Sequence, residues 1–142
     1  MCTIDRRALV AFAGLGVAGA LVPTALAGLG VREMHFIAEA ARMKSEAVDG
    51  GDQPFGAVLV RAGAIVGYGA SRVVIDRNPE AHAERVALWD AQRRLQTENL
   101  SGAVMYSTSR PCGVCEHALF LANVERMYFG PGGKDAGQPK RR

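Results

Sequence analysis

The chain has 142 residues, of which 49% are hydrophobic and 22% charged, with a formal net charge of +3. That length suits one domain, and the apolar content excludes a globally disordered chain. The small, spread charge lacks the concentrated basic face that nucleic-acid binding usually needs.

At the start, Arg6 and Arg7 precede residues 8–31, a run without a charged residue. Ala25 and Ala27 in "PTALAG" offer an A-x-A-like cleavage site. The segment looks like a twin-arginine export signal over residues 1–27, cut after Ala27. The alternatives are an uncleaved membrane anchor, since about 20 apolar residues cross a bilayer, or a buried helix. Export would place the protein in the periplasm or outside the cell, in an oxidising space. Cys2 would leave with the signal, and Cys112 and Cys115 would remain.

Residues 32–48 carry apolar side chains at helical spacing and predict a helix. "DGGDQP" (49–54) breaks it. "FGAVLVR" (55–61) predicts a strand buried on both faces. Ala62 and Gly63 make a tight turn into a second strand, residues 64–74. Gly67 and Gly69 within it mark a close approach of another backbone. A helix is predicted over 77–99, with Asn78 as N-cap and Pro79 at the first helical position. Residues 103–108 predict a third strand, 112–123 a helix opened by Pro111, and 124–130 a fourth strand. Residues 131–142 read as a polar, basic tail. The order predicts an α/β fold with helices covering a mixed sheet.

Two short motifs carry chemistry: "HAE" at 82–84 and "PCGVC" at 111–115. The helix after His82 carries the chain roughly 24 Å away. The third strand returns it by roughly 20 Å, so Cys112 comes back level with His82. Cys112 and Cys115, three apart at a helix start, share a face. One imidazole and two thiolates can hold a tetrahedral Zn2+ with the fourth position open. Both cysteines lie near a helix N-terminus, where the dipole favours thiolate. Glu84, beside the metal but not a ligand, is placed to carry protons as acid and base. His117, about 200° round the helix from Cys115, faces away from the set.

H-x-E followed by P-C-x-x-C is the signature of zinc-dependent nucleobase deaminases. With "PFGAVLV", "NPEAHAE", "STSRPCGVC" and "LANVERMYFG" in this order, the chain resembles the cytidine/nucleoside deaminase superfamily. It is most similar to the guanine deaminase and tRNA adenosine deaminase branch, over about residues 32–130. The resemblance implies a three-layer α-β-α fold, hydrolytic deamination of a base or nucleoside, and a homodimer. It implies zinc ligands at His82, Cys112 and Cys115, proton transfer by Glu84, and a base contact from the backbone around Ala83.

The chain departs from the branch at three points. Ser71 stands where relatives place a base-binding Asn, and Arg110 stands where many have Glu. The usual fifth strand is expected to be missing, leaving four. A free base or nucleoside is expected as substrate rather than nucleic acid, with membrane contact only through the N-terminal segment. Two other readings remain: a non-catalytic zinc-binding protein of the deaminase fold, and an exported C-x-x-C thiol–disulfide oxidoreductase, which would leave "HAE" without a role.

Overall fold

The computed structural model describes residues 24–142. Residues 1–23, which hold most of the expected export signal, lie outside the described residues. The elements are α1 (Thr24–Asp49), β1 (Gly56–Arg61), β2 (Ala64–Ala70), α2 (Ala83–Leu95), β3 (Ala103–Ser107), α3 (Gly113–Leu121), β4 (Arg126–Phe129) and β5 (Lys134–Gly137). The expected cut after Ala27 falls in the first turn of α1. Among the described residues, no helix is long and apolar enough to cross a membrane.

The strands form one mixed sheet in the order β2-β1-β3-β4-β5. Only β3 and β4 pair in parallel, and α3 makes the crossover between them, as a parallel connection requires. Side-chain alternation splits the core in two. Ala57 and Leu59 of β1 join Met105 of β3, Ala87 and Leu88 of α2 and Leu119 of α3 on one face. Val58 and Val60 join Tyr106 of β3 and Phe36, Ala40 and Met43 of α1 on the other. The sheet therefore lies between α1 and the α2–α3 pair, the expected three-layer α-β-α arrangement. β1 is buried on both faces, as its unbroken apolar run predicts.

The expectation of four strands is corrected: β5 is present, paired antiparallel with β4 through Met127–Gly137, Tyr128–Asp135 and Phe129–Lys134. Its sequence, Lys-Asp-Ala-Gly, has no apolar alternation to announce it, because it is a short strand at the sheet edge. An Arg126–Asp135 ion pair ties it to β4.

The second correction concerns α2, which begins at Ala83 rather than Pro79. Asn78 does not cap the helix; its side-chain oxygen accepts the Glu80 N–H at 3.0 Å in a local turn. The Arg72 N–H also bonds to the Ala81 carbonyl at 3.0 Å, holding this stretch extended beside the end of β2. The N-cap is His82, with φ −64° and ψ 153°.

Gly67 and Gly69 do mark a close approach. A Cβ on Gly69 would collide with the Ala83 carbonyl and lie 2.5 Å from the Ala87 nitrogen, so bare backbone lets α2 rest on β2. On the free edge of β2, Asp90 accepts the Tyr68 N–H at 3.0 Å, which occupies one of the strand's outward donors.

Candidate active site

The chemistry-bearing residues meet where two helices begin at one end of the sheet. His82 is the N-cap of α2, and Cys112, with φ −70° and ψ 168°, is the N-cap of α3. Cap residues lie outside the regular helix, which leaves their side chains free to point across the gap. Cys115 follows in the first turn of α3 and is buried, whereas Cys112 is exposed.

The Nδ1 atom of His82 lies 3.5 Å from Cys112 Sγ and 3.4 Å from Cys115 Sγ. All three donor atoms lie within 4.8 Å of one another. A tetrahedral zinc with Zn–N near 2.05 Å and Zn–S near 2.3 Å separates nitrogen from sulfur by about 3.5 Å. One ring nitrogen cannot form two good hydrogen bonds to two thiols, but it can share a metal with both. The donor set and its spacing therefore fit zinc.

Glu84, in the first turn of α2, is 5% exposed. Burial raises its pKa, against the opposing pull of its own backbone N–H, of His82 and of the Cys115 thiol. Burial also pushes the Cys115 thiol well above its ordinary range, and the Glu84 charge adds to the effect.

A cavity of about 200 Å3 opens against this cluster, lined by His82, Glu84 and Cys112 on one side and by Gln53, Phe55 and Arg110 on another. Its size suits a single heterocyclic base. A larger groove between α1, β2 and α2 holds none of the metal-ligand set.

Residues 32–131 match the family described as the cytidine and deoxycytidylate deaminase zinc-binding region. The chain belongs to this family.

Among relatives of this deaminase-family chain, the tRNA-specific adenosine deaminase of Aquifex aeolicus is 37% identical over 95 residues, covering 67% of this chain and 63% of the relative. The guanine deaminase of Bacillus subtilis is 32% identical over 104 residues, covering 72% and 67%. The chain thus spans less than two thirds of the Aquifex protein's length. Its fold superposes on a structure from work on A-to-I editing by tRNA:A34 deaminases with a TM-score of 0.66 at 33% identity, covering 70% of this chain and 75% of that one. The Bacillus subtilis guanine deaminase crystal structure gives 0.65 at 30% identity, covering 72% and 71%.

On the substrate side expected from the sequence, Ser71 and Ala83 are both buried. Ser71 is 1% exposed, and its hydroxyl donates to Asp52 Oδ1 at 2.8 Å. It does not line the cavity. Ala83 is fully buried, with its carbonyl packed under Gly69. His117 is held apart from the metal-ligand set: its Nδ1 accepts the Arg142 N–H at 3.3 Å.

Asp52 is the residue that sequence reading missed, because "DGGDQP" looked only like a helix breaker. Its carboxylate also accepts the N–H groups of Gln53, Val74 and Ile75 at 2.8–2.9 Å. Burial pulls its pKa upward, but the bonds from Ile75, Gln53, Ser71 and Val74 win and hold it at about 2. Asp52 thereby fixes the loop that presents Gln53 and Phe55 to the cavity. Three of its four donors lie 19, 22 and 23 residues further along the chain, so the cluster could not be read from spacing alone.

Proposed function

We propose that this chain is a zinc-dependent hydrolase that replaces the exocyclic amine of a nucleobase or nucleoside with oxygen and releases ammonia. The observation that carries this reading is the convergence of His82, Cys112 and Cys115 at zinc spacing, with the buried carboxylate of Glu84 on the same cavity. A purely structural zinc site has no need of that carboxylate, and a dithiol redox pair has no need of His82.

In this reading His82 Nδ1 and the two thiolates hold the metal, which supplies Lewis-acid activation of water near neutral pH. Glu84 removes a proton from the attacking water and delivers it to the ring nitrogen. It then carries the second proton to the departing amine, so that water and the amine become carbonyl and ammonia. Phe55 offers a ring face to the base, Gln53 an amide to its edge, and the backbone around Ala83 a further contact. Ser71 supports this wall through Asp52.

A free base or nucleoside is the proposed substrate, supported by the weak net charge of +3. Export is proposed from Arg6, Arg7 and the apolar run after them. A homodimer is proposed as well, supported by the exposed Val114 and Leu121 on α3.

The test is ammonia release from guanine, adenosine, cytosine, cytidine and an anticodon-loop RNA. At least one small substrate should be deaminated. Glu84→Gln should retain zinc and lose about 10²- to 10⁴-fold in rate. Deamination of the RNA alone would overturn the substrate class, and unchanged turnover in Glu84→Gln would overturn the mechanism.

A further inference from the structure

We propose that residues 139–142 form a strap that positions the thiol-bearing turn of α3, with Arg142 and Glu116 as its positioning residues. The inference rests on the reading of His82, Cys112 and Cys115 as metal ligands.

Glu116 directly follows Cys115, and its side chain is only 3% exposed. Its carboxylate is fully engaged by the strap. Oε1 accepts the Lys140 N–H at 3.2 Å, and Oε2 accepts Arg142 Nε at 3.0 Å and Nη2 at 2.9 Å. The Arg142 backbone N–H donates to His117 Nδ1 at 3.3 Å. The Arg142 stem passes over Gly113, where an added Cβ would meet its Cδ at 3.6 Å. Pro139 is buried at the base of the strap.

The strap therefore touches residues 113, 116 and 117, which interleave with Cys112 and Cys115. The Glu116 N–H also closes the first helical turn onto the Cys112 carbonyl at 2.8 Å. Movement of Glu116 is thus passed to both sulfur-bearing residues. A nine-residue helix such as α3 is too short to hold its own geometry in water. Its inner face is fixed by Leu119 in the core, and the strap fixes its first turn from the other side. The Arg142 guanidinium also pairs with a buried carboxylate that would be costly to leave alone.

The test measures zinc dissociation constants by competition with a chromophoric chelator, alongside melting of the metal-free proteins. Groups that orient metal ligands from behind typically cost 10- to 100-fold in affinity when removed. Arg142 acts one residue further back, so Arg142→Ala should weaken zinc binding by about 10-fold, the lower end of that range. Arg142→Lys keeps the charge but not the paired nitrogens, and should fall between Arg142→Ala and the parent. Arg141→Ala, an exposed neighbour, should bind zinc like the parent. A strap that serves stability alone would lower the melting of metal-free Arg142→Ala and leave its zinc affinity unchanged; that result would overturn the inference. Failure of the parent protein to bind zinc at all would overturn the metal reading along with it.

Discussion

Gly69→Ala tests how the sheet positions the active site. A methyl group there would lie 2.5 Å from the Ala87 nitrogen and closer still to the Ala83 carbonyl, whereas ordinary contact begins at 3.4 Å. Relieving the nitrogen contact alone requires about 0.9 Å of separation between β2 and α2, the difference between those two distances. Both atoms belong to backbone, so no side chain can rotate away. The helix that must move is capped by His82 and carries Glu84 in its first turn. Overpacking of this kind costs about 1–3 kcal/mol. A displacement near 1 Å at a reacting group can reduce turnover by about 100-fold. Gly69→Ala should therefore show a lower urea midpoint and a far larger loss in ammonia release than stability explains. Gly132→Ala, whose added Cβ meets nothing within 4 Å, should behave like the parent. A Gly69→Ala protein with parental stability and turnover would refute the claim that α2 rests directly on β2.

Ser71→Ala should lower the melting temperature by several degrees, because it removes the hydroxyl that Asp52 accepts from; unaltered melting would contradict this support of the Asp52 loop. Asp52 is held at about 2, below its ordinary 3.8, so its ionised form stabilises the fold above that range and the contribution fades as the pH falls toward 2. Thermal melts between pH 5 and 2 should therefore decline more steeply for the parent than for Asp52→Asn. Chelation should lower the melting temperature as well: zinc at a thousandfold excess over its dissociation constant stabilises the folded state by about 4 kcal/mol, and identical melts with and without metal would contradict a loaded site.

Most of the fold could be read from local pattern, and the exceptions share a cause. β1 declared itself because a run buried on both faces must be apolar throughout. The convergence of His82, Cys112 and Cys115 was legible because "HAE" and "PCGVC" fix residue types and order, and because helix and strand lengths return Cys112 to the level of His82. What escaped depended on specific polar contacts, which hydrophobic pattern does not announce. β5 is held mainly by pairing and one ion pair, with Ala136 alone packed against the core, so its four residues resembled a tail. The start of α2 was misplaced because a side-chain turn at Asn78 and a bond from Arg72 to Ala81 compete with the helix that Pro79 would otherwise open. The bond from Ser71 to Asp52, nineteen residues earlier, also left no mark in local pattern. Arg142 and Glu116 are likewise 26 residues apart.

Zinc K-edge X-ray absorption of the purified, zinc-loaded protein tests the central claim most directly. One imidazole and two thiolates predict two sulfur scatterers near 2.3 Å and two light atoms near 2.0–2.1 Å, one of them the His82 nitrogen. His82→Ala should lose the imidazole signature while keeping both sulfurs. A shell of light atoms alone, or one unchanged in His82→Ala, would contradict the proposed site.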